Sequence, residues 1–143
     1  MNFFRALSIS ASGLAAQRTR MEIITENLAN SESTVTGTGR PYQRKLVVLQ
    51  AVDEQSFPAV LRDADVPDGG VRVANVVESR EPMRRIYQPD HPQAGADGFL
   101  TMPNVNTFKE MVDVMLSNRA YEANAMAFQA TKSMGAKLLE LLR

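Results

Sequence analysis

The chain has 143 residues, enough for one domain of modest size. Its 16 basic and 16 acidic side chains balance, so net charge indicates neither a nucleic-acid surface nor an acidic partner. The absence of cysteine excludes a disulfide framework and a thiolate metal site. No apolar run approaches the roughly 18 residues of a membrane span. We therefore expect no direct membrane insertion, and the N-terminus lacks the compact apolar segment of a cleavable signal peptide.

Residues 2–28 are predicted to form a long amphipathic helix. Apolar or small residues recur there in a pattern of helical spacing, at Phe4, Leu7, Ala11, Leu14, Met21, Ile24 and Leu28. Asn27 and Asn30 mark its end, because asparagine tolerates the left-handed conformation of a helix C-cap. We interpret both asparagines as structural residues that end the helix.

The middle of the chain, residues 31–104, is predicted to be a small β-rich module. Residues 31–39 are rich in Ser, Thr and Gly and are predicted to form a loop or flexible joint. Four strand-like runs follow, at residues 46–52, 71–77, 83–87 and 98–102. Pro58 and an acidic turn at residues 63–70 separate the first two runs. Asn104 or Asn106 is available as the N-cap of the next helix.

Residues 105–143 are predicted to form a second helix, about 55–60 Å long at the α-helical rise. One stripe recurs along it in steps of three and four, whereas charges such as Glu110 and Asp113 fall off the stripe. Alanines in the middle of the stripe would let another helix approach closely. A helix of this length has too few partners in a short chain, so we expect it to pack against other chains.

The predicted fold is α+β: long N- and C-terminal helices, residues 1–30 and 105–143, with the β-rich module between them. The helices can bury their stripes by lying antiparallel, or against copies and neighbouring proteins. The predicted assembly interface comprises Leu7, Ala11, Leu14, Met21 and Leu28 on the first helix, and Val112, Leu116, Ala120, Ala123, Ala127, Ala130, Met134, Leu138 and Leu141 on the second.

The sequence offers little for catalysis or cofactor binding. His91 is the single histidine and lies in a proline-broken loop, where a surface turn is the ordinary interpretation. No nucleophile elbow occurs, and the Asp68-Gly-Gly turn lacks the context of a phosphate loop. The basic pairs Arg84-Arg85 and Arg44-Lys45 have no interleaved aromatic residues, so nucleic-acid binding is unsupported. We expect no enzyme, no metal and no cofactor.

Several motifs together resemble a known family. Residues 11–21 (ASGLAAQRTRM), followed by Asn27-Leu-Ala-Asn, are similar to the N-terminal signature of the bacterial flagellar axial proteins, which build the rod and hook. The resemblance is strongest to the proximal rod proteins and spans nearly the whole chain. It continues through Pro41-Tyr-Gln-Arg-Lys, Pro89-Asp-His-Pro, Asp97-Gly-Phe, Pro103-Asn-Val-Asn, Glu110-Met-Val-Asp and Arg119-Ala-Tyr-Glu-Ala-Asn.

This resemblance implies a structural subunit of the proximal rod of the flagellar basal body, whose terminal helices are paired as a coiled-coil-like unit. Such a subunit polymerises with copies of itself and with other proximal and distal rod proteins into a helical tube that transmits motor torque. The implied further partners are the rod-base adaptor at the membrane ring and the flagellar type III export apparatus. Export would proceed without a cleaved signal peptide, to a periplasmic rod.

Arg119, Tyr121 and Glu122 map onto the C-terminal motif and are candidates for polar contacts between subunits. Two other interpretations stay open at this point. The first is a soluble helical adaptor or export chaperone that binds a partner helix, and the second is a small hydrolase that uses His91.

Overall fold

The computed structural model describes residues 3–35, 40–52 and 69–141. The elements in chain order are helix α1 (Phe3–Ala29), strands β1 (Lys45–Ala51), β2 (Val71–Glu78), β3 (Arg84–Tyr87) and β4 (Phe99–Met102), and helix α2 (Thr107–Leu141). The predicted α+β arrangement of terminal helices around short strands is confirmed. Pro58, residues 36–39 of the predicted joint, residues 63–68 of the predicted turn, and residues 2, 142 and 143 of the predicted helices lie outside the described residues.

Helices α1 and α2 lie side by side and antiparallel. A Cβ atom on Gly135, near the end of α2, would meet the Phe3 ring at the start of α1, and one on Gly13 would meet the Asn124 side chain. At the opposite end, Asn27 of α1 donates a hydrogen bond to Glu110 of α2. The facing residues repeat in alternating steps of three and four, the spacing of a coiled coil. They are Phe3, Ala6, Ser10, Gly13, Gln17, Arg20, Ile24 and Asn27 on α1, and Glu110, Val114, Ser117, Tyr121, Asn124, Phe128, Thr131 and Gly135 on α2.

The seam between the helices, meaning these facing residues, is unusually polar. Ser117 is 1% exposed, and its Oγ has no hydrogen-bond partner among the described residues; Oε1 of Gln17 is likewise buried without a partner. A buried polar atom without a partner costs about 1–3 kcal/mol. Small residues such as Gly13 bring the helices close together, and apolar side chains such as Ile24 and Phe128 alternate with polar ones along the seam.

Strands β1 and β2 form an antiparallel two-stranded sheet, with a bulge where the register shifts between Val48 and Leu49. This sheet packs along α1: the backbone N–H of Val71 donates to Ser12 Oγ at 3.1 Å. Gly70, just before β2, has φ +113°, and a Cβ there would lie 2.4 Å from Ser12 Oγ. Glycine is therefore required for this close approach.

Strands β3 and β4 pair antiparallel in a second two-stranded sheet. The Tyr87 and Phe99 rings meet edge to face across it, with 5.3 Å between centroids. The four predicted strands are confirmed within two residues at each end. They form two separate two-stranded sheets. Buried apolar residues of this region include Tyr42, just before β1, and Leu100 within β4.

The hydrogen bonds at the helix ends show which asparagine caps α2. Asn106 Oδ1 accepts hydrogen bonds from the backbone N–H groups of Phe108 and Lys109, so Asn106 is the N-cap of α2. The helix therefore begins two residues later than expected, and Val105 is buried before it. At the end of α1, Asn30 Nδ2 donates to the carbonyl of Glu26 at 2.9 Å. The expected left-handed asparagine cap is wrong, because no described residue other than glycine has a positive φ.

Candidate assembly site

Asn27 is the centre of a buried polar cluster where α1, β1 and α2 meet. Its side chain is 1% exposed. Asn27 Nδ2 donates to the Lys45 carbonyl at 2.8 Å and to Glu110 Oε2 at 3.1 Å. Asn27 Oδ1 accepts from Tyr42 Oη and from the Lys45 backbone N–H, each at 2.9 Å. Both amide atoms are fully used, so Asn27 joins the last turn of α1 to β1 and α2 rather than simply ending the helix.

A buried ion pair completes this cluster on the α2 side. Glu110 is fully buried, and its Oε1 accepts from Arg44 Nε at 2.6 Å. Arg44 also reaches Asp113 Oδ2 at 3.4 Å, and only 7% of its side chain is exposed. A buried carboxylate needs such partners, because removing one of them leaves an uncompensated charge. Arg44 and Asn27 therefore hold the first turn of α2 against the strand.

Asn104 extends the cluster to the end of β2. Its Oδ1 accepts from the Arg44 backbone N–H at 2.8 Å, and its Nδ2 donates to the Glu81 carbonyl at 2.9 Å. Ser79, also buried, donates its backbone N–H to the Arg44 carbonyl at 2.7 Å. The segments that enter α2 and leave β2 are thus fixed to the same short stretch of chain around Arg44.

Tyr42 lies against the carboxylates of this region. Burial, with the negative charges of Glu26, Glu110 and Glu78, raises the pKa of Tyr42 from 10.0 to about 12. The phenol therefore stays protonated at ordinary pH and donates its O–H to Asn27. At the edge of the cluster, Lys45 Nζ lies 2.5 Å from Glu26 Oε1 in a half-exposed ion pair.

The predicted interface residues of α1 lie on the flank of the helix pair. Leu7, Leu14, Met21 and Leu28 are half-buried, whereas Ala11 is exposed. None of these residues belongs to the seam, which is formed by neighbouring positions such as Ser10 and Gln17. Their contact with another subunit stays a prediction.

On α2 the predicted stripe lies mostly in the open. Ala120 is half-buried. The other predicted residues are all exposed, namely Val112, Leu116, Ala123, Ala127, Ala130, Met134, Leu138 and Leu141. Met115 and Met126, which the stripe did not include, are each 64% exposed. The helix thus turns polar residues such as Ser117 towards α1 and leaves an apolar surface uncovered, an arrangement that favours a further partner.

The three candidates for polar contacts between subunits lie on two different faces of α2. Arg119 and Glu122 are exposed, and Glu122 Oε1 accepts from Asn118 Nδ2 at 2.9 Å. Tyr121 is half-buried at a seam position facing α1. Arg119 and Glu122 are therefore available to another chain, and Tyr121 lies mainly within the helix pair.

His91 serves its own loop. Its Nδ1 accepts from the Gln93 backbone N–H at 3.2 Å, and its backbone closes turns with Gln88 and Ala94. A shallow depression of about 460 Å³ beside it is lined by Tyr87, Gln88, Pro89, Asp90 and Pro92. These residues include no Ser, Thr or Cys nucleophile, and the described residues contain no group of carboxylates and histidines arranged to hold a metal ion.

Comparison with known proteins decides the family. A family model described as "Flagella basal body rod protein" matches residues 7–36, and one described as "Flagellar basal body rod FlgEFG protein C-terminal" matches residues 96–141. The chain is 42% identical to the flagellar basal-body rod protein FlgC of Bacillus subtilis, over 99% of both chains. The chain belongs to the FlgC family of flagellar basal-body rod proteins. FlgC of Salmonella typhimurium (40% identical, 99% of this chain and 98% of the relative) and of Borreliella burgdorferi (33%, 100% and 99%) are also similar.

Membership of this rod family answers the open interpretations. The family consists of structural proteins of the flagellar basal body and is not known to be enzymatic, so the hydrolase and the separate adaptor are set aside. A rod protein assembles with other rod components. Neither described helix has both the length and the apolar character needed to cross a membrane.

Sequence reasoning missed Tyr42, Arg44, Asn104 and Glu110 as one site. The signal was present, because each lies in a motif that carries the family resemblance, in the stretches beginning at Pro41, Pro103 and Glu110 itself. These motifs are far apart in sequence and converge in the buried cluster around Asn27. In this chain the residues of these motifs therefore form the joint between the strands and the helices.

Proposed function

We propose that this chain is a structural subunit of the proximal part of the rod, and that it polymerises with copies of itself and with other proximal and distal rod proteins into a helical tube. The observation that carries this proposal is that α2 buries polar residues against α1 and leaves apolar residues exposed. Its polar seam is turned towards α1, while Val112, Met115 and Met126 stay exposed. Burial of such side chains gains about 1.5–3 kcal/mol each, and here it is available only on assembly.

The buried cluster supports a mechanical role for the subunit. Arg44, Asn27 and Glu110 tie both helices to β1 at one point, so a load on the strands reaches both helices through hydrogen bonds that are buried or partly buried. Many helix contacts repeated around a tube would then transmit torque along the rod. Heterologous contacts of this kind do not close on themselves and generate helical assemblies.

We also propose how the subunit is exported and where it assembles. The subunit passes unprocessed through the flagellar type III export apparatus, assembles in the periplasm, and meets an adaptor at the membrane ring at the base of the rod. The polar seam suits this route, because buried Gln17 and Ser117 atoms without partners lower the free energy needed to separate the helices.

The test is genetic replacement in a flagellated bacterium that lacks its own copy of the gene. We expect the wild-type chain to restore swimming and rods in isolated basal bodies, and to be recovered from them at its unprocessed mass. Ala123→Glu and Ala127→Glu should block rod assembly while leaving the circular-dichroism spectrum of the purified chain unchanged, because both positions are exposed. Ala123→Ser and Ala127→Ser are the matched controls.

Normal rods in cells that lack the chain would contradict the proposal. So would full motility of both glutamate variants, since a charged side chain buried at a helix interface without a partner is strongly unfavourable.

A further inference from the structure

Each helix carries an outer row of residues on the side that points away from the other helix. Both rows advance in alternating steps of four and three, as the seam does. Apart from half-buried Ser8, all of their side chains are exposed. The outer row of α1 is Phe4, Ser8, Ala11, Ala15, Arg18, Glu22, Thr25 and Ala29; that of α2 is Phe108, Val112, Met115, Arg119, Glu122, Met126, Gln129 and Ser133.

The two rows have complementary charges at their centres. On α1, Arg18 precedes Glu22, and the two form an exposed ion pair with 3.1 Å between Nε and Oε1. On α2, Arg119 precedes Glu122, and Arg119 has no ion-pair partner within the described part of the chain. If the rows were laid against each other antiparallel, Arg18 would face Glu122 and Glu22 would face Arg119. A parallel arrangement would bring like charges together.

Side-chain size agrees with the register that the charges select. With Arg18 opposite Glu122, the large Met126 falls opposite Ala15. At the other end, Met115 falls opposite Thr25 and Val112 opposite Ala29. Large side chains thus meet small ones, which is how ridges of one helix fit the grooves of another. Charge and size are independent properties of the two rows, and both indicate the same antiparallel register.

We propose that the outer row of α2 in one copy docks antiparallel on the outer row of α1 in a second copy of this chain. One chain cannot make this contact by itself, because its own α1 outer row points away from its α2. Since α1 and α2 are antiparallel within a chain, the two docked copies point the same way. The contact is heterologous and leaves one row free on each side, so it propagates. This inference rests on the proposed rod function and names the surface by which copies meet.

Cysteine cross-linking tests the register directly, because the chain has no cysteine of its own. The double variant Ala15→Cys/Met126→Cys would be expressed as the sole copy of the gene in flagellated cells and oxidised with copper phenanthroline. We expect a ladder of bands at multiples of the chain mass. The matched control, Ser8→Cys/Met126→Cys, displaces one cysteine by seven residues, about 10 Å along the helix and beyond the reach of a disulfide. It should give at least tenfold less ladder.

Charge exchange tests the polar contacts without disturbing the helices. Arg18→Glu with Glu22→Arg keeps the ion pair within α1, but it sets like charges against an unchanged α2. Added to the cross-linking pair, it should lower the ladder yield about fivefold to tenfold. Arg119→Glu with Glu122→Arg should lower the yield similarly. The fourfold exchange restores complementarity and should return the yield to within about twofold.

The outcomes separate this inference from the proposed function. Intact rods with no ladder, equal ladders from the pair and its control, products that stop at two chains, or adducts only with a protein of another mass would each overturn docking between copies and leave the rod function standing. Failure of the fourfold exchange to restore the yield would also overturn it. Normal rods in cells without the chain would instead overturn the proposed function.

Discussion

The buried carboxylate of Glu110 offers the sharpest test of the cluster. Its two oxygens accept from Arg44 Nε at 2.6 Å and from Asn27 Nδ2 at 3.1 Å, and the side chain has no exposure. Glu110→Gln keeps the shape of the side chain but removes its charge. Its amide oxygen can still accept from Arg44, but its NH2 group would then face the donor Nδ2 of Asn27, and the carboxylate that remains for buried Arg44 is Asp113 at 3.4 Å. Glu110→Ala removes both acceptors.

The expected losses follow from the loss of these partners. A hydrogen bond to a charged group contributes about 1.5–3 kcal/mol, so we expect Glu110→Gln to lower the free energy of unfolding by about 2–3 kcal/mol. Glu110→Ala leaves a buried guanidinium poorly compensated and should cost about 3–5 kcal/mol. Against a total stability of about 5–15 kcal/mol for a native domain, either change is large.

The assay is urea unfolding of the purified chain, followed by far-ultraviolet circular dichroism. Glu122→Gln, an exposed glutamate on the same helix, is the matched control and should change stability by less than about 0.5 kcal/mol. The double variant Arg44→Met/Glu110→Leu should recover much of the loss, because a buried ion pair is often replaceable by apolar residues. Equal stabilities of Glu110→Gln and Glu122→Gln would refute the reasoning.

Four further results are expected. Ser117→Ala should raise the free energy of unfolding by up to about 1 kcal/mol in the same urea assay, because it removes a buried hydroxyl without a partner; a loss above 1 kcal/mol would contradict this. Gly70→Ala should lower stability by more than about 1 kcal/mol, since φ is +113° and the new methyl group would collide with α1, and an unchanged urea midpoint would argue against that contact. The pKa of Tyr42 is raised from 10.0 to about 12 in the folded chain, and the stability that this shift contributes is fully present below pH 10 and is lost as the pH rises to 12. The difference in free energy of unfolding between the wild type and Tyr42→Phe should therefore shrink by about 2–3 kcal/mol between pH 10 and pH 12, and a difference that stays constant would contradict the raised pKa. Amide hydrogen exchange should be slowest at the end of the helix pair that holds Asn27 and fastest at the end that holds Phe3, whereas uniform protection along both helices would show that the cluster does not anchor the pair.

The sequence was sufficient to predict the type and order of the elements. Periodic apolar residues marked both helices, and β-branched runs marked the strands, because residues that share one face of an element recur at the period of that element. Asn106 as N-cap was one of two candidates, and only the path of the chain decided between them. Asn104 was the other, and its side chain is instead used to bind Arg44 and Glu81.

The seam could not be predicted from hydrophobicity. Ser117, Asn124 and Thr131 face α1, although they are polar, while the apolar positions Val112 and Leu116 face outwards. A search for an apolar stripe finds the face that is left exposed in the single chain and passes over the one that is buried. Small polar residues at coiled-coil spacing predict a helix contact only weakly. The contact can be recognised only when a second helix with the same spacing is placed beside them.

The cluster was hidden for a different reason. Arg44 reads as half of a basic pair and Glu110 as a charge off the stripe, because residues of these types are almost never fully buried unless they are paired. Their pairing spans 66 positions in sequence, and no local pattern connects them. Family motifs indicated that these stretches matter, but the motifs alone did not show that they meet.

The cluster and the seam contribute different properties to the subunit, because the cluster joins the strands to both helices whereas the seam leaves polar atoms without partners in the described part of the chain. The seam has two buried polar atoms without partners among the described residues, and each of them lowers the stability of the helix pair. By contrast, the directional hydrogen bonds of Asn27 to Lys45 and Glu110 hold β1 and both helices in a fixed orientation at this end of the helix pair. Stability can then come from neighbours that cover the outer rows, while geometry comes from within the subunit. Stabilising the seam should therefore change how readily the free chain opens, whereas weakening the cluster should change the direction in which the strands project from an assembled rod.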